Sequence, residues 1–140
     1  MENKQSLVPG LKEYVNHYGI KKDRWGRLLF YKAITNTKSS IHVQCHSRPY
    51  RDGACVSCTI VDYSRSQDCG KGLHVATFAF AKDFANSRYE HVVLVAVEPE
   101  DVVCVPLYGS GKIRCKKLYV YGRVSNMTGE LLTKHKGPRP

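Results

Sequence analysis

One segment constrains the fold of this chain more than any other. His91–Val97 reads HVVLVAV, seven residues without a formal charge, a glycine or a proline, and four of them are valine. A run of this length and composition is typical of a strand buried on both faces of a sheet. Because 140 residues supply one domain with a single core, the sequence predicts one domain built on a sheet that contains this strand.

Further segments predict the rest of that domain. Runs rich in β-branched and aromatic residues predict strands, at Arg27–Thr35, Ile41–Cys45, Ala54–Val61, Asp101–Val105 and Lys112–Val124. Leu73–Asn86 is ambiguous and could be a strand running into a helix. Pro9–Gly19 predicts a short amphipathic helix with Gly19 as its stop. The expected class is α+β, with about six mostly antiparallel strands and two short helices.

The pattern divides the chain into three parts. Residues 1–23 are expected to form the N-terminal helix and a charged turn, and residues 24–124 the α+β domain. Residues 125–140 lose the strand pattern and are expected to form a flexible basic tail. Within the domain, the polar connection Asp62–Gly72 is a typical place for functional residues on a rigid scaffold.

Positive charge is concentrated at the two ends of the sequence. The net charge is +10, and residues 1–40 carry eight basic and three acidic side chains, whereas residues 112–140 carry eight basic and one acidic. This asymmetry indicates an anionic partner such as nucleic acid, although a well-solvated surface explains it equally. No apolar stretch approaches the ~20 residues of a membrane span and no signal segment opens the chain, so an intracellular location is expected.

Four of the six cysteines are candidate ligands of a zinc ion. They are spaced C-x9-C-x2-C-x10-C, and a C-x2-C pair is a usual half of a zinc site. However, two strand residues three apart point to opposite faces, which a chelating pair does not tolerate. Free thiols are therefore the expected state and no metal is assigned; a zinc site, if present, would use Cys45, Cys55, Cys58 and Cys69.

The polar connection offers two further chemistries. Cys69 and His74 bracket a Gly-Lys-Gly turn and could form a nucleophile and its base, while Lys71 and Arg65 near these glycines could hold a phosphate. No carboxylate evidently orients the histidine, and no complete phosphate-binding motif is present. The residues thus assign no catalytic group and no cofactor.

Aromatic and basic residues interleave near the end of the domain. Tyrosines alternating with basic side chains on a strand can stack single-stranded bases, and the residues concerned are Lys116, Lys117, Tyr119, Tyr121 and Arg123. Half-buried packing is the commoner role for such tyrosines, and both interpretations stay open.

Several motifs, in the correct order, resemble those of the rIIB-like proteins of bacteriophages. Residues 62–76, DYSRSQDCGKGLHVA, are similar to the family's D-x-x-R-x-x-x-C-x-x-G-L-H-V motif. Further matches are WGRLLFYKAI at 25–34, SIH at 40–42, VAVEPEDVVCVP at 95–106 and KIRCKKLYVYGRV at 112–124. The resemblance covers residues 24–124, and the collinearity of the motifs is more specific than any one of them.

The resemblance implies a phage accessory protein. Such proteins occur alone or as the tail end of larger rIIB proteins, and they are linked to lysis timing and to escape from host exclusion, with no established catalytic residues. The motif positions become candidates for a shared site: Lys32, His42, Asp62, Arg65, Cys69, Gly72, Leu73, His74, Pro99, Asp101, Pro106 and Arg114. Together with Lys71, the candidates for ligand binding are Lys32, His42, Arg65, Cys69, Lys71, His74 and Arg114.

Two functions from different classes remain. The first is a non-enzymatic protein in the cytoplasm of the infected bacterium that binds a host protein or nucleic acid, which the basic ends and the lack of a complete catalytic constellation favour. The second is a nucleotide-binding or ADP-ribosyltransferase-like protein that uses the loop around Cys69–His74, with Glu98 as its catalytic glutamate. That second hypothesis rests on an analogy of element order alone. The sequence does not determine the oligomeric state.

Overall fold

Seven antiparallel strands and two α-helices make up the described part of the chain. The computed structural model describes residues 7–34, 50–66, 71–86, 90–107, 111–132 and 137–140. The elements are α1 (Leu11–Tyr18), β1 (Leu28–Ile34), β2 (Cys55–Ser57), β3 (Leu73–Ala76), α2 (Phe78–Asn86), β4 (His91–Val97), a short 3-10 turn (Pro99–Asp101), β5 (Val102–Cys104), β6 (Lys112–Cys115) and β7 (Lys117–Val124). The α+β class and the antiparallel sheet are confirmed.

The sheet curls back on itself through one bent segment. Its strand order is β2-β7-β4-β1-β3-β6-β5, and only Lys116 separates β6 from β7. At this bend the Lys116 N–H donates to the Asp101 carbonyl over 2.9 Å, and the Cys58 N–H donates to the Lys116 carbonyl over 2.8 Å. The single strand predicted over Lys112–Val124 is therefore two strands, because each half pairs with different neighbours.

Strand β4 lies in the middle of the sheet and is buried on both faces, as predicted. It pairs with β1 over seven residues, from Leu28↔Val97 to Ile34↔His91, and with β7 on its other side. Its odd-numbered valines belong to one cluster of buried side chains, the inner cluster, which extends to α1. Val92, Leu94 and Ala96 belong to a second, the outer cluster, which includes buried residues of α2.

Helix α1 packs against the inner cluster. Leu11 and Tyr14 are buried in it, and the Tyr14 hydroxyl donates a hydrogen bond to the Gly111 carbonyl. The helix ends where Gly19 adopts a left-handed conformation at φ 62° and its N–H returns to the Val15 carbonyl. The helix and its glycine stop are thus confirmed.

Helix α2 packs on the outer cluster through its small residues. Ala81 and Ala85 are buried, and Phe78 contacts the Tyr31 ring at a centroid distance of 5.2 Å. Phe80 and Phe84 share one face, as expected, with stacked rings 6.5 Å apart. The transition from strand to helix predicted over Leu73–Asn86 is confirmed.

One predicted strand is shorter than expected, and another is not tested. The strand predicted at Ala54–Val61 covers only Cys55–Ser57, because the Cys58 thiol turns inward onto the Ile60 carbonyl at 3.3 Å and Ile60 is exposed. The strand predicted at Ile41–Cys45 lies outside the described residues.

Beyond β7 the chain makes a short reverse turn. Val124 forms an isolated antiparallel bridge with Leu131, and the Ser125 N–H donates to the Glu130 carbonyl over 2.8 Å. The three-part division of the chain stays a prediction. Among the described residues, no helix combines the length and the apolarity that a membrane crossing requires.

Candidate functional site

Arg114 fastens the polar connection to the sheet. We call residues 62–66, the first described part of that connection, the polar loop. Arg114 on β6 is fully buried, and its Nη1 donates to the backbone carbonyls of Asp62 and, over 3.3 Å, Ser64. The Cys104 thiol of β5 lies 3.4 Å from the same Ser64 carbonyl. A buried guanidinium thus holds the backbone of the loop.

The glycine and the histidine of the family-like motif lie beside this guanidinium. Gly72 has φ +139°, and a Cβ there would lie 2.7 Å from Cγ of Arg114, so the close approach of the two strands favours glycine. His74 is the register partner of Arg114. Lys32 of β1 donates from Nζ to the His74 carbonyl over 2.6 Å and lies 5.6 Å from the centroid of the Tyr50 ring. Lys32, His74 and Arg114 are therefore assembled around β3.

Arg65 extends from the polar loop toward α1. Its Nε donates to the Val105 carbonyl and its own carbonyl accepts from the Leu107 N–H, both over 2.9 Å. Its Nη2 reaches Gly10, where an added Cβ would lie only 2.5 Å away. One hydrogen bond thus holds the side chain and a second holds the backbone of the same residue.

A shallow cleft of about 500 Å³ separates α1 from the polar loop, and we call it the α1 cleft. It is lined by Gly10, Glu13, Tyr14, His17, Tyr18, Arg65 and Val105. Burial, and then the neighbouring Tyr18, raise the pKa of Tyr14, so this tyrosine is neutral in the physiological range. Besides the two tyrosines, the polar side chains that line the cleft are those of Glu13, His17 and Arg65.

Large apolar side chains are exposed in the same part of the fold. Tyr18 lines the cleft itself and is 40% exposed. Tyr63 lies in the polar loop and is 65% exposed, while Leu107, hydrogen-bonded to Arg65, is 54% exposed. Sequence reasoning identified Arg65 but missed the α1 residues of this surface, because the helical period was used only to find the buried face of α1.

Three further ligand-binding candidates are not among the described residues that line the α1 cleft. Lys71 is exposed, and its carbonyl accepts from the Asp62 N–H over 2.8 Å. His42 and Cys69 lie outside the described residues. A ligand-binding role for any of these residues stays a prediction.

The cysteines fall into different environments. Cys55 is exposed and Cys58 buried, while Cys45 and Cys69 lie outside the described residues. Within the residues whose placement is described, no group of three His, Cys, Asp or Glu side chains could hold a metal ion. Burial raises the pKa of the Cys104 thiol, which favours its protonated form.

A second arrangement of polar groups surrounds Arg27, and the sequence did not indicate it. Asp23 opens a turn in which its Oδ1 accepts the N–H groups of Trp25 and Arg27, both over 3.0 Å, as aspartate at a turn commonly does. Its Oδ2 accepts from Arg27 Nε and from the Tyr121 hydroxyl, both over 2.8 Å. The Arg27 guanidinium lies 4.7 Å from the centroid of the Trp25 ring and 4.6 Å from that of Tyr119. These five residues form the Arg27 cluster.

The protonation states within the Arg27 cluster follow from these contacts. Although burial opposes it, the hydrogen bonds from Tyr121 and Arg27 hold the pKa of Asp23 below its usual value. Burial and the hydrogen bond to Asp23 raise the pKa of Tyr121 to about 12. Glu98 lies near enough to feel Arg27 and Asp23, and its pKa is raised by burial and by Glu100. The cluster therefore contains an ionised aspartate and a neutral tyrosine at pH 7.

The residues proposed for base stacking do not share one face of the sheet. Tyr119 and Tyr121 are buried in the outer cluster, and Lys117 Nζ lies 5.3 Å from the centroid of the Tyr119 ring. Arg123 pairs in register with Val93, a residue of the inner cluster, and so projects from the opposite face of the sheet. Lys116 is exposed at the bend. Packing accounts for the two rings, and nucleic-acid binding by this set stays a prediction.

Comparison with known proteins identifies the class of this chain. The family described as Bacteriophage T4 protein rIIB matches residues 3–130, and the chain belongs to this family of bacteriophage proteins. It is similar to Protein rIIB of Enterobacteria phage T4, with 35% identity over 80 residues, which cover 54% of this chain and 25% of the relative. The chain thus spans about a quarter of that relative's length. No solved structure matches it.

Proposed function

We propose that this chain is a phage accessory protein that binds a host protein in the cytoplasm of the infected bacterium, through the α1 cleft and its apolar rim. The observation that carries the proposal is the position of Arg65. The Val105 carbonyl holds this guanidinium through Nε, and the Leu107 N–H holds the backbone carbonyl of the same residue. The arginine lies in a cleft, in the same part of the fold as tyrosine and leucine side chains that are exposed to solvent.

The composition of this surface supports a protein partner. Arginine and tyrosine are enriched among the residues that contribute most to protein–protein affinity, since they combine large contact areas with directed hydrogen bonds. A preorganised side chain also loses less entropy on binding. The partner expected from the cleft presents a carboxylate to Arg65 and apolar side chains to Tyr18, Tyr63 and Leu107.

A photo-crosslinking residue substituted at Tyr18 tests this proposal in infected cells. We expect it to join the chain to one host protein, whereas the same residue at Met127, which is 82% exposed in the turn beyond β7, should not. Arg65→Met should abolish the adduct at Tyr18, and Lys12→Met, which removes an exposed positive charge from the same helix, should leave it unchanged. Equal adducts at both crosslinking positions, or none at Tyr18, would contradict the proposal.

Nucleic acid is the second candidate partner, favoured by the net charge of +10 and by the adjacent Lys116 and Lys117 at the bend. If both lysines contact phosphates of a single strand, changing them to glutamine lowers the slope of log K against log salt by about 1.4. The matched control, Lys21→Gln with Lys22→Gln, removes the same charge elsewhere. If the two double variants had equal slopes, the hypothesis that Lys116 and Lys117 contact phosphates would be rejected.

Nucleotide binding or ADP-ribosyl transfer around His74 remains a hypothesis. A thermal-shift series with NAD and common nucleotides tests it, because a ligand that binds the folded state raises the melting temperature by mass action. A rise with one nucleotide that persists in salt would favour this hypothesis over a protein partner. No rise with any NAD derivative would exclude the transferase.

A further inference from the structure

The last four residues of the chain, Gly137–Pro140, lie against the Arg27 cluster. Arg27 Nη2 donates to the Pro138 carbonyl over 2.6 Å. Gly137 has φ +89°, and a Cβ placed there would collide with the Tyr121 ring. The backbone of this segment is therefore in direct contact with the aromatic ring, and glycine is the residue that permits it.

The cluster has the features of sites that bind extended proline-containing peptides. Such sites are lined with aromatic rings and direct a donor at a peptide carbonyl, and Trp25, Tyr119 and Arg27 supply both. Proline holds φ near −65°, and an extended proline-rich backbone makes no internal hydrogen bonds, so its carbonyls are available to such a donor. The sequence Gly-Pro-Arg-Pro at 137–140 matches this chemistry.

One donor of the cluster is not used by the segment. Arg27 Nη1 is buried and has no hydrogen-bond partner among the described residues, and an unmet buried donor costs free energy. An occupant that brings one more acceptor therefore binds more tightly than the chain's own terminus does.

We propose that the Arg27 cluster is a docking site for an extended proline-containing segment of another protein, and that Gly137–Pro140 occupies it as a releasable strap. A tethered segment competes at an effective concentration of about 1 mM, so the intact chain masks the site. This proposal concerns a different surface from the α1 cleft and does not depend on the function proposed there.

The test measures binding of a labelled peptide with the sequence of residues 132–140, LTKHKGPRP, to the full-length chain and to Gly137→Val. The valine side chain would collide with Tyr121 and displace the strap while leaving the site intact. We expect Gly137→Val to bind the peptide at least tenfold more tightly than the unmodified chain. Emission from Trp25, the one tryptophan of the sequence, should change on binding.

Two controls make the result specific. Arg139→Ala alters an exposed side chain of the strap and should bind the peptide as weakly as the unmodified chain. A peptide with both prolines changed to alanine should lose at least tenfold in affinity for Gly137→Val. Equal binding by the unmodified chain and Gly137→Val, no binding by either, or equal binding of the two peptides would overturn the proposal.

Discussion

Among the described residues two arginines are completely buried, Arg114 and Arg27, and they have different surroundings. Arg114 donates to backbone carbonyls of the polar loop, so its contacts fix one segment of the chain to the sheet. Arg27 pairs with the Asp23 carboxylate, lies between two aromatic rings and donates to the terminal segment. The comparison indicates that a buried guanidinium fixes a scaffold where it donates to backbone carbonyls of a loop, and defines a site where it meets aromatic side chains and the segment Gly137–Pro140.

The largest effect is expected from Arg114→Met. The carbonyls of Asp62 and Ser64 would lose a charged donor, and an unmet acceptor costs about 1–3 kcal/mol when it is buried. Because Ser64 is partly accessible to water, we expect the free energy of unfolding in urea to fall by about 2–4 kcal/mol. A loss below about 0.5 kcal/mol, the usual effect of a surface substitution, would show that Arg114 does not hold the loop.

We expect Arg27→Met to lower the free energy of unfolding by about 1–2 kcal/mol, which is less than the loss expected for Arg114→Met. Its partner Asp23 keeps the hydrogen bonds from the Tyr121 hydroxyl and from the N–H groups of Trp25 and residue 27, so the carboxylate is not left uncompensated. The same urea experiment measures this, with Arg123→Met as a control at an exposed arginine. If Arg27→Met cost more than Arg114→Met, the distinction between scaffold and site would be reversed.

The smallest expected effect is a change in the stability of the fold at acid pH. The pKa of Asp23 in the folded state lies below its ordinary value of 3.8, so its ionised form stabilises the fold above about pH 3.8, and this contribution is lost as the pH falls through that value toward the folded-state pKa. Asp23→Asn should therefore lower stability at pH 6, and the difference from the unmodified chain should shrink below pH 4. Urea titrations at a series of pH values measure this. A difference independent of pH would contradict the assigned charge.

The sequence predicted what depends on local pattern. His91–Val97 was predicted to its exact bounds, since it carries an uninterrupted apolar run bounded by a glutamate on each side. The break at Lys116 was not predicted, because it arises from the closure of the sheet and the residues around it carry an ordinary strand pattern.

The two arginines also differ in how far the local sequence indicated their roles. Arg114 was a candidate because it belongs to an ordered series of motifs. The Arg27 cluster was missed, because its hydrogen bonds join residues about a hundred positions apart: Asp23 meets Tyr121 and Arg27 meets Pro138. No local pattern reports such a contact. The tyrosines were noticed, but their burial follows from tertiary packing.

The most direct test of the contrast between the two arginines is amide hydrogen exchange in the full-length chain. Arg114→Lys should accelerate exchange at Asp62 and Leu107, whose N–H groups hold the polar loop, and leave Gly26 and Leu29 near the Arg27 cluster unchanged. Gly137→Val should do the reverse. The Val120 amide, bonded to the Ala54 carbonyl, serves as the reference for global opening. If either substitution accelerated both regions equally while Val120 stayed protected, the two arginines would not act independently, and the account would be wrong.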